Sequence, residues 1–164
     1  MKIALTGHRP QRLFGEDLEN ENWTKIREWL KKTLIENNCS LAISGMAAGS
    51  DMLFALAVKD LKEQGENIKL ELAFPCHGYG RKSSYNKYLQ WRQEIIQSAD
   101  KKTFIHEKWC KTADDDRDKY MVENCDILIA IFDGNNVGGV YHTIQHAKRL
   151  GKKIIYCPKE LVQK

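Results

Sequence analysis

Short apolar runs alternate along the chain with longer stretches whose apolar positions recur every three or four residues. The first run, residues 2–6, stops at Gly7, and the second, 41–44, stops at Gly45. Both have the length of strands. Between them Trp23, Ile26, Leu30 and Leu34 fall at helical spacing with Lys and Glu interleaved, which predicts a helix over 23–37. Met52, Leu53, Leu56 and Leu61 give an apolar helix face over 50–64. A third strand is predicted over 69–74, stopped by Pro75, then a helix over 84–98 and a weak strand over 101–105. A helix over 114–124 opens on Asp114, Asp115 and Asp116, where the helix dipole favours carboxylates. Ile127 to Phe132 are all apolar, the pattern of a parallel strand covered on both faces. A helix over 138–150 and a strand over 153–157 complete the series.

Strands alternating with helices predict βαβ units. The expected fold is α/β: a three-layer sandwich with a mainly parallel sheet and helices on both faces. The length of 164 residues fits one domain spanning 1–164. A chain of this size buries roughly two-thirds of its unfolded surface, so it needs no disulfide or metal to fold. The stretch from Gly7 to Asn22 is long for a connection, and such loops tend to be functional or mobile.

The unusual residues cluster just after predicted strands. Thr6, Gly7, His8 and Arg9 follow the first. Ser44, Gly45, Met46, Gly49, Ser50 and Asp51 follow the second. Phe74, Pro75, Cys76 and His77 follow the third; Asp133, Gly134, Gly138 and Gly139 follow the fifth. In a parallel sheet all four segments gather at the carboxyl edge, where open α/β sheets bind ligands. Glycines let backbone amides approach a ligand, and a helix start adds free N–H groups and a positive dipole end. Asp51 is either a helix cap or an acceptor for ribose hydroxyls, and Asp133 a turn former or a second ribose ligand. Arg9 suits a phosphate, and His8 a base or a proton-transfer role. Arg117 and Tyr120 lie near one helix face and are expected to point to the same edge. Neither GxxxxGK[ST] nor GxGxxG occurs, so ATP hydrolysis and ordinary NAD-dependent hydride transfer lose support.

Composition narrows the partners. The net charge of +4 comes from 26 basic and 22 acidic residues spread along the chain, with no basic arm, so nucleic acid is not the expected ligand. Five cysteines without a CxxC pair argue against a disulfide framework and a structural zinc site, and no metal is expected. Cys39, Cys125 and Cys157 read as small buried hydrophobes. Cys76 and His77 are neighbours in sequence, which does not supply the geometry of a nucleophile pair. No stretch reads as a signal or membrane span, so a soluble cytoplasmic protein without membrane partners is expected.

The order TGHRP, SGMAxGxD, a strand ending in FP, RxxYMVExxD, then a buried strand ending in DG and a GG helix start resembles the YpsA-like family, part of the SLOG superfamily. That superfamily also holds the LOG phosphoribohydrolases and DprA. The resemblance runs from Thr6 to about Ala147. It implies a Rossmann-like fold and a pocket for a nucleotide or a nucleotide-derived molecule such as ADP-ribose, with no certain cofactor. Carried over by motif, Thr6, Gly7, His8 and Arg9 border the ligand, and Gly45, Met46, Gly49 and Asp51 form a second wall. Arg117, Tyr120 and Met121 match RxxYM, and Asp133, Gly134, Gly138 and Gly139 form the phosphate side. Val140 stands where family members often have Thr, leaving Tyr141 and Thr143 as the nearby hydroxyls. The LOG motif PGGxGTxxE corresponds to VGGVYHTIQ, which lacks the catalytic Glu. The leading expectation is therefore a sensor or sequestering module. The alternatives are an N-glycosidic hydrolase using Asp51 or Asp133 as base with Arg117 for electrostatic stabilisation, and single-stranded nucleic-acid binding. Self-association is implied by the resemblance, and the exposed-looking aromatics Trp91, Trp109 and Tyr141 serve either an interface or the core.

Overall fold

A computed structural model describes residues 1–163; Lys164 lies outside the described residues. Six strands form one sheet: β1 (Lys2–Gly7), β2 (Leu41–Ser44), β3 (Lys69–Cys76), β4 (Lys101–His106), β5 (Ile127–Ile131) and β6 (Lys153–Tyr156). Their order is β4-β3-β2-β1-β5-β6 and every neighbouring pair is parallel. The chain winds outward from β1 to β4, then returns to the far side of β1 as β5. The sheet therefore has its switch point between β1 and β5, where Ile3 pairs with Ile127 and Gly7 with Ile131.

Among the described residues six helices cover the faces: α1 (Glu21–Glu36), α2 (Ser50–Glu63), α3 (Asn86–Ser98), α4 (Ala113–Glu123), α5 (Gly139–Arg149) and the short α6 (Lys159–Val162). β5 is buried along its whole length because both its faces are covered. Ile127, Ile129 and Ile131 join α1, α2 and α3 in the larger core. Leu128 faces the other way and packs with Met121 and Val122 of α4 and Ala147 of α5. This is the period-two alternation of a strand with apolar layers on both sides.

Two expectations change. β3 does not stop at Phe74 but continues through Pro75 to Cys76. Its partner β2 ends at the Leu72–Ser44 pair, so the N–H that proline lacks would have met no strand on that side. The segment 8–20 is tied down rather than loose. A 3₁₀ turn spans Pro10–Arg12, Leu13 and Leu18 are buried, and the Trp23 indole donates to the Gly15 carbonyl at 2.9 Å. Asn20 then caps α1 by accepting from the Trp23 amide at 3.0 Å.

β1 and α2 meet at Gly7. A Cβ there would stand 2.4 Å from the Ser50 Cβ and 3.1 Å from the Ile131 Cβ. Ser50 has no slack, since its hydroxyl donates to the His8 carbonyl at 2.8 Å. Gly7→Ala is expected to destabilise the fold by about 1–3 kcal/mol, the usual range for forced overpacking. Chemical denaturation measures it, and a wild-type midpoint would show that α2 is free to shift.

Candidate functional site

A polar cavity of about 300 Å³ opens at the switch point. Thr6, Gly7, His8 and Arg9 reach it from the end of β1, Ala47 and Asp51 from the start of α2, and Gly139 and Val140 from the start of α5. Arg12, Asp114, Asp115, Arg117 and Asp118 close it. Arg12 lies at the start of α5, beside Gly138, and Asp115 and Asp118 of α4 also approach Gly139.

Arg117 holds the acidic wall together. It is 4% exposed, and two of its guanidinium nitrogens donate hydrogen bonds. Nε donates to Asp118 Oδ1 at 2.7 Å, one Nη donates to the Gly45 carbonyl, and the other lies 3.6 Å from Asp114 Oδ1. Burial opposes its charge, but Asp118 and Asp51 more than offset this and raise its pKa. Gly45 is required by this approach: a Cβ would lie 2.8 Å from Asp51 Oδ2 and 3.0 Å from an Arg117 Nη.

Asp51 is not the cap of α2; Gly49 occupies that position without a side-chain cap. Asp51 Oδ2 reaches back to accept from the Ala47 amide at 3.3 Å. Burial pushes its pKa up to about 6, Asp118 adds to the rise, and Arg117 opposes it. Asp118 is shifted upward by burial as well, against the pull of Arg117.

On the opposite wall, His8 is 2% exposed and lies against Phe132, with ring centroids 5.8 Å apart. Its Nε2 is 3.1 Å from both the amide nitrogen and Oδ1 of Asp133. Burial lowers its pKa despite the Asp133 carboxylate, and a neutral Nε2 accepts the amide proton. Asp133 also accepts from Arg12 at 2.7 Å and from the Asn135 amide at 2.9 Å. Burial would raise its pKa, but these donors and His8 hold it down at about 2.

The start of α5 is the open part of the site. Gly138 takes the N-cap position with φ +92°, and no side chain caps the helix. A Cβ on Gly139 would meet nothing within 4 Å. The first amides of α5 therefore border the same cavity as Arg9 and Arg12, an arrangement suited to an anion.

Several sequence candidates lie elsewhere. Phe74 and Pro75 are buried within β3, where Phe74 stacks on Phe104 at 5.2 Å. Tyr120 does not share the direction of Arg117: its hydroxyl donates to the buried Glu71 at 2.6 Å, which Thr103 also contacts. Met121 is core. Ser44 is buried and donates to the Asp51 carbonyl at 2.8 Å. Thr143 spends its hydroxyl on the Gly139 carbonyl at 2.9 Å and lies within 3.5 Å of Asp118, so it offers no free replacement for a hydroxyl at Val140. Asp133 and Gly134 line a different cavity toward β6, and Met46 lines one toward α3. Trp91 is buried at 3% exposure, Tyr141 is half-buried, and Trp109 is the exposed aromatic at 64%.

Sequence reasoning missed Arg12, Ala47, Asp114, Asp115 and Asp118 as cavity residues. Arg12 was hidden in the long connection after β1. The acidic turn of α4 does more than complement the helix dipole: Asp114 and Asp115 line the cavity, while Asp116 accepts from Thr112 at 2.9 Å and pairs with His106 at 2.7 Å. His106, Cys110 and Asp116 hold donor atoms within 4.8 Å of one another, the one such metal-capable trio among the described residues. All five cysteines are free; Cys76, Cys125 and Cys157 are buried, and Cys39 is half-buried. Among the described residues no helix is long and apolar enough to cross a membrane.

A wholly parallel, doubly wound sheet with a polar cavity at its switch point defines a Rossmann-like α/β protein. A family model described as the YspA SLOG family matches residues 3–161. The chain belongs to that family, also written YpsA, and the match extends past both ends of the motif run read from the sequence. Among solved structures, DNA processing protein A from Streptococcus pneumoniae aligns with a TM-score of 0.62 at 17% identity, over 96% of this chain and 50% of that one. A structure of the Helicobacter pylori protein, described for its single-stranded DNA binding mode, aligns with a TM-score of 0.66 at 18% identity, over 96% and 65%. The chain thus spans from half to just under two-thirds of those proteins, and the likeness is one of fold. No curated protein matches the sequence.

The carboxylates of the site should titrate far apart. Carbon-detected NMR is expected to give Asp51 a midpoint near 6 and Asp133 one near 2. The folded chain takes up the Asp51 proton at higher pH than the unfolded chain does, so this group favours the folded state in acid. That contribution declines as pH rises from the ordinary 3.8 towards about 6. Wild type should therefore lose stability relative to Asp51→Asn across this window, and a midpoint at the ordinary value would show that the carboxyl is solvated.

Proposed function

We propose that this chain binds a nucleotide or a nucleotide-derived small molecule, ADP-ribose or an NAD-derived signal among them, as a sensor or sequestering module. The observation that carries the reading is the uncapped start of α5 opening into a cavity beside Arg9 and Arg12. Backbone amides, a helix dipole and two guanidinium groups favour a phosphate there. Asp51 borders the same cavity from the start of α2, where its carboxyl group can accept ribose hydroxyls. Asp133 serves this site indirectly, because its carboxylate is engaged with Arg12.

One observation favours a hydrolytic alternative. Asp51 borders the cavity with its pKa raised to about 6, close to the range that suits general acid–base work. N-glycosidic cleavage would then use Asp51 as the proton-transfer group and Arg117 to steady developing charge. The binding reading ranks first because Arg117 already donates to Asp118 and to the Gly45 carbonyl.

Thermal unfolding with AMP, ADP, ADP-ribose, cyclic ADP-ribose isomers, NAD and cytokinin-type nucleotides tests both, with each mixture analysed for products. A ligand at 100 times its dissociation constant stabilises by about 2.7 kcal/mol. The expected result is stabilisation without products, lost in Gly139→Asp and in Arg9→Ala. Release of a free base would put hydrolysis first. Silence toward every nucleotide, with retention on single-stranded DNA, would replace both readings by nucleic-acid binding.

A further inference from the structure

A separate cavity of about 340 Å³ lies beside the one at the switch point. Arg9 borders both, and the loop before α2 divides between them: Ala47 lines the first, Met46 and Ala48 the second. The far wall comes from residues 79–92, which add Lys82 and Arg92 to Arg9. No carboxylate lines this second cavity among the described residues, in contrast to the four that line the first.

Tyr88 supplies an independent observation. The residue is 8% exposed, it lines the cavity, and its hydroxyl is buried with no hydrogen-bond partner. The ring is held in place by Tyr85 and Trp91, with centroids 5.0 and 5.7 Å away. A phenol fixed this way gives up its hydrogen bond to water and receives none in return, which costs stability unless a ligand restores it. Arg92 is fixed too: it donates to the Tyr79 carbonyl at 3.0 Å and lies 5.7 Å over the Phe74 ring. Burial and the like charge of Arg81 both lower its pKa, so an anion would relieve crowding between cations. Glu16 is the acidic group near enough to act on the Tyr88 hydroxyl, and after burial it adds to the upward shift of that group.

We infer that this second cavity is an oxyanion site for a phosphoryl group, with the Tyr88 hydroxyl, Arg92 and Lys82 as its ligands and Arg9 shared with the switch-point cavity. That the group arrives on the same nucleotide as fills the first cavity rests on the function proposed above; the site itself does not. An inorganic polyphosphate has the required chemistry as well.

The test is calorimetric titration of the full chain with inorganic pyrophosphate in four forms: wild type, Gly139→Asp, and Gly139→Asp combined with Tyr88→Phe or with Lys82→Glu. Gly139→Asp places a carboxylate at the start of α5 and blocks the first cavity. Binding should survive it and weaken at least about tenfold when Tyr88→Phe or Lys82→Glu is added to it, the scale of hydrogen bonds to a charged group. Tyr88→Phe alone, without pyrophosphate, should melt at or above the wild-type temperature, because the hydroxyl it removes has no partner. Nucleotide titrations of the same variants then tell whether the phosphoryl group comes on a nucleotide or as a free ion. Pyrophosphate affinity unchanged from Gly139→Asp in both combined variants would overturn the assignment, as would complete loss in Gly139→Asp or a lowered ligand-free melting temperature in Tyr88→Phe. None of these failures touches the nucleotide reading of the first cavity, which is read from nucleotides alone.

Discussion

A guanidinium cannot be buried without acceptors, and the ligand edge of this protein is arranged around that constraint. Arg117 brings together three pieces of chain: α4, which carries it and Asp118; the loop after β2, whose Gly45 carbonyl it holds; and the start of α2, where Asp51 sits beside it. A buried ion pair contributes little net stability over an apolar one, but removing one partner leaves an uncompensated charge. The arrangement therefore fixes geometry more than it adds free energy. It also accounts for Gly45, since any side chain there would occupy the space of the contact.

The two walls of the site have opposite electrostatic character. Around Asp133 a carboxylate is solvated by donors and stays ionised well into acid. Around Asp51 burial prevails and the proton is held to milder pH. Residues of one type, a short distance apart, are thus set to different charge states by their partners alone. His8 completes the contrast: its burial favours the neutral ring, so the positive charge beside Asp133 resides on Arg12.

The layout of strands and helices was legible because each βαβ unit repeats the same local signals. The continuous apolar run of β5 announced burial on both faces, and the glycines after β1 and β2 announced the ligand edge. Legibility ended where a residue's role depends on direction rather than position. Arg117 and Tyr120 are three apart on one helix, yet one turns to the cavity and the other to Glu71 on β3. Phe74 and Pro75 follow the pattern of an edge segment but lie within a strand that outlasts its neighbour. Arg12 gave no periodic signal, because a 3₁₀ turn and not a helix or strand presents it. Trp91 looked available in a polar stretch, but its helical phase with Tyr88 and Ile95 puts it in the core.

Arg9 borders both the switch-point cavity and the second cavity beside it. A single flexible side chain cannot satisfy an anion in each at full strength, so occupancy of one side changes what the other can offer. Thermodynamic linkage makes such coupling reciprocal: whatever factor the first occupant imposes on the second is returned unaltered. A fold this small thus contains the physical means for antagonism between two solutes, with no hinge, second subunit or change of backbone conformation required.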